Sequence, residues 1–242
     1  MAPGMTSPEH LARLTGDFAM TTTSLTRRTL SAALVAGTAM LGAASLAPVA
    51  LAQEATVPVE DLHKSGKLPD KVMGNADAPV TIVEYASMTC GHCGAFHNRV
   101  FPELKKKYVD TGKVRFIFRE FPLGSYAAAA SMLARCAADD KFFPMLKVLF
   151  ETQDQWAYVQ ANQRVPTLLG VAQQAGFTRD EFKQCLSNQE LLNGINEIRD
   201  QAANVYGVTS TPTFFVNGQL MRGAGSVADF EERMKDILEK SS

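Results

Sequence analysis

The feature that most constrains this chain is a pair of cysteines, Cys90 and Cys93, placed where a strand pattern gives way to a helix pattern. Apolar residues alternate over residues 80–85, and they recur at helical spacing from residue 94 to about residue 109. Two cysteines at this spacing can close a small disulfide ring and open it again. Unpaired backbone N–H groups at a helix N-terminus stabilise a thiolate there. The sequence therefore predicts a redox-active pair, with Cys90 at the helix start and Cys93 one turn in, where it can attack the mixed disulfide that Cys90 forms.

Metal and haem sites also use closely spaced cysteines. A zinc site needs about four ligands, but the nearest further candidates are His92 and His97, and the chain has no second pair at this spacing. A c-type haem attachment needs a histidine directly after the second cysteine, where this chain has Gly94. A static disulfide in so short a loop would be strained and easily reduced. These considerations favour redox chemistry, and we expect no metal site.

Residues 1–52 have the organisation of a secretory leader. Arg27 and Arg28 form a positive segment, an Ala-rich apolar stretch follows over residues 30–47, and residues 50–52 read Ala-Leu-Ala, a small-residue cleavage pattern. A membrane anchor is disfavoured by these small residues. The arginine pair leaves a twin-arginine signal open beside ordinary secretion. Either route predicts export to the periplasm.

The start of this leader has two interpretations. We expect translation to begin at Met20, or residues 1–19 to form a long positive segment, with cleavage before Gln53 in both cases. Four cysteines, an even number, fit an oxidising compartment. A formal net charge of −1 without a basic cluster argues against nucleic acid as a partner.

The remaining chain has an α/β pattern interrupted by helices. Residues 53–78 are rich in Pro, Gly and charge and form an N-terminal arm, with room for a short edge strand but not for a domain. The patterns of residues 79–124 predict β-α-β, and those of residues 207–242 predict β-β-α. Between them, residues 125–206 show only helical spacing. They predict a helical insertion large enough to pack as a subdomain.

Glu84 lies inside the first predicted strand of the α/β domain. On alternation alone, a solvent-facing position and a buried one are equally compatible with the pattern. If it is buried, its carboxylate would lie behind the cysteines and relay a proton to or from Cys93. His97 follows Cys93 by one helical turn, and we interpret it as an ordinary residue of the helix surface.

The other two cysteines, Cys136 and Cys185, lie in the insertion. Each shares a predicted helix face with apolar residues, so both could be buried free thiols. In an oxidising compartment a leftover pair more often bonds. We therefore predict a structural Cys136–Cys185 disulfide, which in the chain-entropy model would stabilise the insertion by about 4 kcal/mol.

Three motifs carry a resemblance to a known family. They are residues 78–85 (Ala-Pro-Val-Thr-Ile-Val-Glu-Tyr), residues 90–93 (Cys-Gly-His-Cys) and residues 207–214 (Gly-Val-Thr-Ser-Thr-Pro-Thr-Phe), on either side of the helical insertion. Over about residues 74–238 the chain resembles the DsbA-like thiol-disulfide oxidoreductases of the thioredoxin superfamily. The resemblance implies a thioredoxin fold, β-α-β then β-β-α, with a helical insertion subdomain. The spacing of Glu84 before the cysteines also matches, which supports the proton-relay role.

The resemblance assigns roles to five residues. Cys90 would be the exposed nucleophile and Cys93 the buried resolving cysteine. His92 would stabilise the Cys90 thiolate. Pro212 would be cis and pack against the active-site disulfide, which would orient the Thr211 backbone to bind an extended substrate segment by strand addition.

The resemblance also implies a function. The protein would donate its disulfide to reduced secreted proteins without a cofactor, and a quinone-linked membrane oxidase of the DsbB type would reoxidise it. The Gly91–His92 pair departs from the Pro-His of the best-known members and matches protein disulfide isomerases, so an isomerase or reductase stays open. A non-catalytic chaperone or copper-handling module is a further alternative. Residues 53–78 are too short for the dimerisation domain of DsbC-type isomerases, which favours a monomeric oxidase.

Overall fold

A computed structural model describes residues 56–64 and 66–241. The predicted leader, residues 1–52, with its start at Met20 and its cleavage before Gln53, lies outside the described residues. None of the helices in the described ranges is long and apolar enough to cross a membrane.

A five-stranded sheet forms the centre of the fold. Its strands are β1 (Lys71–Met73), β2 (Val80–Ala86), β3 (Val114–Glu120), β4 (Thr213–Val216) and β5 (Gln219–Arg222). The spatial order is β1-β3-β2-β4-β5. β2 runs parallel to β3, whereas β1 pairs antiparallel with β3, β4 with β2, and β5 with β4. β2 is therefore the central strand, and the chain leaves it directly into the cysteine motif.

Ten α-helices, counted within the described ranges, surround the sheet. They are α1 (Val59–Leu62), α2 (Gly91–Ala95), α3 (Phe101–Leu104), α4 (Ser125–Cys136), α5 (Phe142–Glu151), α6 (Gln153–Trp156), α7 (Arg164–Gln174), α8 (Arg179–Leu186), α9 (Gln189–Asn204) and α10 (Val227–Lys240). This sequence of elements confirms the predicted fold class: β-α-β, then a helical insertion, then β-β-α.

The helical segment after the cysteines is continuous over residues 91–109 but changes its winding. Two stretches, Phe96–Val100 and Lys105–Val109, are π-helical and flank α3. Pro102 lies in the first turn of α3, where its missing N–H interrupts regular α-helical bonding.

Alternation along β2 distributes its side chains between two apolar layers. Ile82 belongs to the layer under α2, α3 and α10, whereas Val83 and Tyr85 belong to the layer on the opposite face. All seven residues of β2 are buried, because helices cover both faces of the sheet. Glu84 occupies the same face as Ile82, which is the face on which the cysteine-bearing helix packs.

The last helix of the insertion, α9, covers the opposite face of the sheet. Its buried residues Ile198 and Ala202 share an apolar cluster with Tyr85 and Phe215. The sequence predicted this helix but not its position. The insertion is thus connected to the sheet through its last helix as well as through α4.

Two neighbouring residues of β3 attach the arm and the insertion to the sheet. Arg119 binds Asp70 of the arm with two contacts of 2.8 Å, and Glu120 accepts two hydrogen bonds from Arg135 of α4, at 2.6 and 2.8 Å. The Arg135 and Glu120 side chains are 3% and 0% exposed. Because each charge has a partner, both segments are fixed against the sheet without an unpaired buried charge.

A hairpin turn at Asn217 and Gly218 joins β4 to β5. Both residues have positive φ, 43° and 87°, as the tight turn of a two-residue hairpin requires. A Cβ at Gly218 would lie 2.3 Å from the carbonyl oxygen of Val57. Glycine is therefore required here by conformation and by space.

Candidate active site

The cysteine pair lies at the junction of β2 and α2, as predicted. Cys90 is the N-cap residue of α2, and Cys93 is in its first turn. The Cys90 N–H donates to the Ser87 carbonyl at 3.1 Å, and the Gly94 N–H donates to the Cys90 carbonyl at 3.0 Å. The backbone of Cys90 is thereby held at the end of the loop, and its sulfur faces the first turn of the helix. Both cysteines are free thiols in the structure.

Opposite electrostatic conditions act on the two sulfurs. The pKa of Cys90 is lowered to about 5, chiefly by a hydrogen bond from Cys93 and, against the effect of burial, by Thr211 and the backbone N–H groups of Cys93 and His92. Burial raises the pKa of Cys93 far above its ordinary range, and its bond to Cys90 and the charge of Glu84 raise it further. At neutral pH the stable state of the reduced pair is a thiolate at Cys90 beside a thiol at Cys93.

Cys90 is less exposed than the resemblance implies. It is 9% exposed and Cys93 is 0% exposed. The reason is a close contact with the loop before β4, since the Cys90 sulfur lies 3.3 Å from the Thr211 carbonyl oxygen, to which the protonated thiol donates. An attacking group can therefore reach Cys90 only through the small exposed part of this residue.

The Thr211–Pro212 peptide bond is cis, as the resemblance implies. The Thr211 side chain is one of the groups that lower the Cys90 pKa. Thr211 and Pro212 line a groove of about 600 Å³ together with His92 and Phe96. Thr211 connects this groove to the cysteine pair, because its carbonyl oxygen also contacts the Cys90 sulfur.

His92 contributes to the site through its backbone. Its N–H stabilises the Cys90 thiolate, whereas its side chain is exposed and forms no hydrogen bond within the part of the chain that the structure describes. The resemblance implies that the His92 side chain stabilises the Cys90 thiolate, but no hydrogen bond of this side chain among the described residues supports that role.

Glu84 and His97 form a buried pair. Glu84 is 0% exposed, which decides between the two interpretations of the strand pattern. The prediction that His97 is a surface residue is wrong: its side chain is 5% exposed, and its Nε2 lies 2.8 Å from a Glu84 oxygen. The ring stacks on Phe150 of α5, with centroids 4.3 Å apart. The insertion covers this face of the helix, which the helical pattern by itself cannot show.

Gln153 is a site residue that the sequence analysis missed. It belongs to α6 in the insertion, and its side-chain amide donates to the Met88 carbonyl at 2.8 Å and to the Cys90 carbonyl at 3.0 Å. A single glutamine among the insertion helices gives no local signal of this contact. Its burial, with 6% exposed, appears only when the insertion folds against the loop.

Cys136 and Cys185 are joined by a disulfide, with Cα atoms 6.0 Å apart. The bond connects the C-terminal end of α4 to α8. Cys136 is exposed and Cys185 is buried. The two form part of the lining of a surface cavity of about 570 Å³.

Comparisons with known proteins agree with this geometry. The family model described as Thioredoxin matches residues 67–236. The crystal structure of alpha-DsbA1 from Wolbachia pipientis aligns with a TM-score of 0.68 and 32% identity, over 76% of this chain and 97% of that one. The crystal structure of a protein-disulfide isomerase from Novosphingobium aromaticivorans aligns with a TM-score of 0.62 and 25% identity, over 70% of this chain and 98% of that one.

A curated relative adds a match in sequence. A Rickettsia felis protein, named provisionally as a protein-disulfide oxidoreductase, is 39% identical over 172 residues, or 71% of this chain. The match spans 61% of that relative, so this chain covers about three fifths of its length.

Proposed function

Since this chain belongs to the DsbA-like thiol-disulfide oxidoreductases of the thioredoxin superfamily, we propose that it donates the Cys90–Cys93 disulfide to reduced proteins outside the cytoplasm. The observation that carries the proposal is the contrast between the two sulfurs. Cys90 has a pKa lowered to about 5, whereas Cys93 is buried with a raised pKa. A stabilised Cys90 thiolate is a good leaving group and favours the reduced form, so the disulfide is readily given up.

The transfer takes place in two exchange steps. A substrate thiolate attacks the Cys90 sulfur of the enzyme disulfide, the Cys90–Cys93 bond breaks, and Cys93 leaves and takes up a proton. A second substrate thiolate then attacks the substrate sulfur of the mixed disulfide, and the Cys90 thiolate leaves. Two electrons pass from the substrate dithiol to the enzyme, which ends with a Cys90 thiolate and a Cys93 thiol.

Glu84 exchanges the proton of Cys93 in this scheme. Its charge already acts on the Cys93 thiol, and it is buried on the sheet face under α2. One Glu84 oxygen is bound by His97, and the other has no hydrogen-bond partner among the described residues. The free oxygen is the one available for the Cys93 proton, while His97 holds the carboxylate in place.

Thr211 and Pro212 hold the substrate segment. The groove they line with His92 adjoins Cys90. An extended client segment would pair with the Thr211 backbone, as in other cases of strand addition. The substrates proposed are thus exposed, unfolded segments of reduced secreted proteins.

Two features of the chain support the proposed location. The leader pattern of residues 1–52 supports export to the periplasm through a cleaved signal peptide. The Cys136–Cys185 disulfide suits an oxidising compartment. A quinone-linked membrane oxidase of the DsbB type would return the reduced enzyme to its disulfide form. We propose that the enzyme acts as a monomer without a cofactor.

A disulfide isomerase is the second candidate. One solved relative bears that name at 25% identity, and the Gly91–His92 pair matches the dipeptide of protein disulfide isomerases. An isomerase must attack existing disulfides, so it works with a less oxidising pair than a donor does.

The redox equilibrium of the Cys90–Cys93 pair in glutathione buffers tests the assignment. A potential well above that of the glutathione pool, with formation of disulfides in reduced, unfolded ribonuclease, is the expected result. A potential near that of thioredoxin, about −270 mV, would replace the oxidase assignment with a reductase or isomerase. Transfer that persists after exhaustive metal chelation would count against a copper-handling module.

A further inference from the structure

All the hydrogen-bonding groups of the Gln153 side chain have partners, and its nitrogen binds the loop that carries Cys90. Its nitrogen donates to the carbonyls of Met88 and Cys90. Its oxygen accepts from the Tyr158 hydroxyl at 3.2 Å. A primary amide has two N–H donors and one acceptor oxygen. A buried amide with each of these groups bound has a single favourable orientation, so Gln153 is a rigid contact between the insertion and the loop.

The carbonyls that Gln153 binds belong to residues 88–90, the loop whose backbone sets the orientation of the Cys90 sulfur. Cys90 has extended backbone angles, φ −84° and ψ 119°, and the helix begins at the next residue. Its carbonyl oxygen accepts from the Gly94 N–H and also from Gln153. A rotation of the backbone at Cys90 would break both bonds. The same rotation would move the sulfur away from the first-turn N–H groups and from Thr211.

We propose that Gln153 is a positioning residue for Cys90: its amide holds residues 88–90 so that the Cys90 sulfur faces the helix N-terminus and the Thr211 carbonyl. The helical insertion would thereby set how strongly the reduced pair is stabilised. This inference rests on the proposed function, since it concerns the same cysteine pair.

Gly94 supplies a second, independent observation. A Cβ at Gly94 would lie 2.4 Å from Oε1 of Gln153 and 3.1 Å from its Cδ. Alanine has the higher helix propensity, yet it would displace the Gln153 amide from this position. The absence of a side chain at residue 94 is therefore what allows Gln153 to reach the loop.

The test replaces Gln153 by methionine, which keeps an unbranched side chain of similar size and removes both N–H donors. The thiolate absorbance of the full protein is followed against pH, and its equilibrium with glutathione is measured. We expect the pH midpoint for ionisation of the Cys90 thiol to rise. The equilibrium constant for the reduced form should fall by roughly three- to tenfold, the effect of a typical lost hydrogen bond. A merely structural role would lower the melting temperature and leave both quantities unchanged.

Gly94→Ala displaces the same amide without altering it. We expect Gly94→Ala to change the midpoint and the equilibrium constant in the same direction as Gln153→Met. The double variant should show no further change, because the two substitutions remove the same contact. Asn98→Leu is the matched control. It removes a hydrogen bond of 3.0 Å from the Asn98 side-chain amide to the Phe150 carbonyl, which is not part of residues 88–90. This control should leave the pH midpoint of Cys90 ionisation unchanged.

The outcomes separate this inference from the proposed function. An unchanged midpoint and equilibrium constant in folded Gln153→Met protein would overturn the positioning role. Should Gln153→Met fail to fold, Gly94→Ala decides in the same way. A Cys90 midpoint near the ordinary cysteine value in the unsubstituted protein would instead refute the oxidase assignment, and that measurement does not involve Gln153.

Discussion

The Nε2 atom of His97 lies 2.8 Å from an oxygen of Glu84, in a pair whose side chains are 5% and 0% exposed. His97 follows Cys93 by one helical turn, and Glu84 lies on the strand that leads into the motif. The stacking of the ring on Phe150 fixes the direction from which it binds the carboxylate. A buried carboxyl group and a buried imidazole thus lie next to each other, one on the strand before the cysteine motif and one on the helical segment after it.

Glu84→Gln should slow the exchange steps in which Cys93 gains or loses a proton. General acid–base catalysis by one group is commonly worth on the order of 10²-fold or more, and we expect a loss of that order. Stopped-flow reduction of the oxidised protein by a dithiol peptide, over a range of pH, measures it. Glu103→Gln is the control, since it removes an exposed carboxylate from the same helical segment. Equal rates for the two variants would refute the relay.

Cys93→Ser should accumulate mixed disulfides between Cys90 and client proteins. The serine variant keeps the nucleophile, but no buried thiol remains to expel the bound client. Cys90→Ser should abolish transfer, because Cys90 is the member of the active-site pair with access to solvent, whereas Cys93 is 0% exposed. Mass spectrometry of protein alkylated in periplasmic extracts measures both outcomes. Normal turnover by Cys93→Ser would show that the resolving role is wrong.

The stability of the reduced protein should depend on pH through Cys90. The folded pKa of Cys90 is about 5, below its ordinary value of 9.0. The ionised thiolate therefore stabilises the folded state fully above about pH 9, and this contribution decreases as the pH falls and is lost near pH 5. Cys93 opposes it only at high pH, because its folded pKa is raised and its thiol ionises in the unfolded chain alone.

Urea unfolding of the reduced and the oxidised protein measures this effect at each pH. The oxidised form is the internal control, since it has every other titrating group and neither thiol. The free energy of unfolding of the reduced form, relative to the oxidised form, should rise from pH 5 towards pH 9. A constant difference over that interval would contradict the lowered pKa.

Removal of the Cys136–Cys185 disulfide should lower the stability of the protein and leave disulfide transfer by Cys90 and Cys93 unchanged. Cys136→Ala combined with Cys185→Ala opens a loop with a sequence separation of 49 residues. The chain-entropy model predicts a loss of about 4 kcal/mol in the free energy of unfolding. Calorimetry measures the loss, and the glutathione equilibrium of Cys90 and Cys93 should stay unchanged. A folded double variant that has lost transfer activity would show that the Cys136–Cys185 disulfide is not purely structural.

Arg135→Leu should destabilise the protein by about 3–5 kcal/mol, because it leaves the buried carboxylate of Glu120 without its partner. Lys147→Met is the control: it breaks the exposed Lys147–Glu151 pair on α5, for which a loss below about 1 kcal/mol is typical. Denaturant unfolding compares the two. Similar losses would mean that the Arg135–Glu120 pair does not attach the insertion to the sheet.

Several elements were predictable because their determinants are close together in the sequence. The capping box of Thr178 and Glu181 at the start of α8 is one such local signal. The Asn217–Gly218 turn between β4 and β5 is another, since few other residues adopt positive φ without strain. The placement of Cys90 at a helix N-terminus follows in the same way from the change of periodicity at residue 90.

Tertiary structure decided which of these residues act together. Alternation left the environment of Glu84 open, because one strand's pattern does not tell whether a helix covers its second face. His97 and Gln153 had ordinary helical settings in the sequence, and their roles depend on an insertion that folds back over the motif. The sequence by itself determined the placement of the cysteine pair at a helix start and the order of strands and helices, since local spacing and propensity specify these. Only long-range packing decided which side chains are buried, which charged groups pair and what the Cys90 sulfur contacts. These contacts form between segments tens of residues apart.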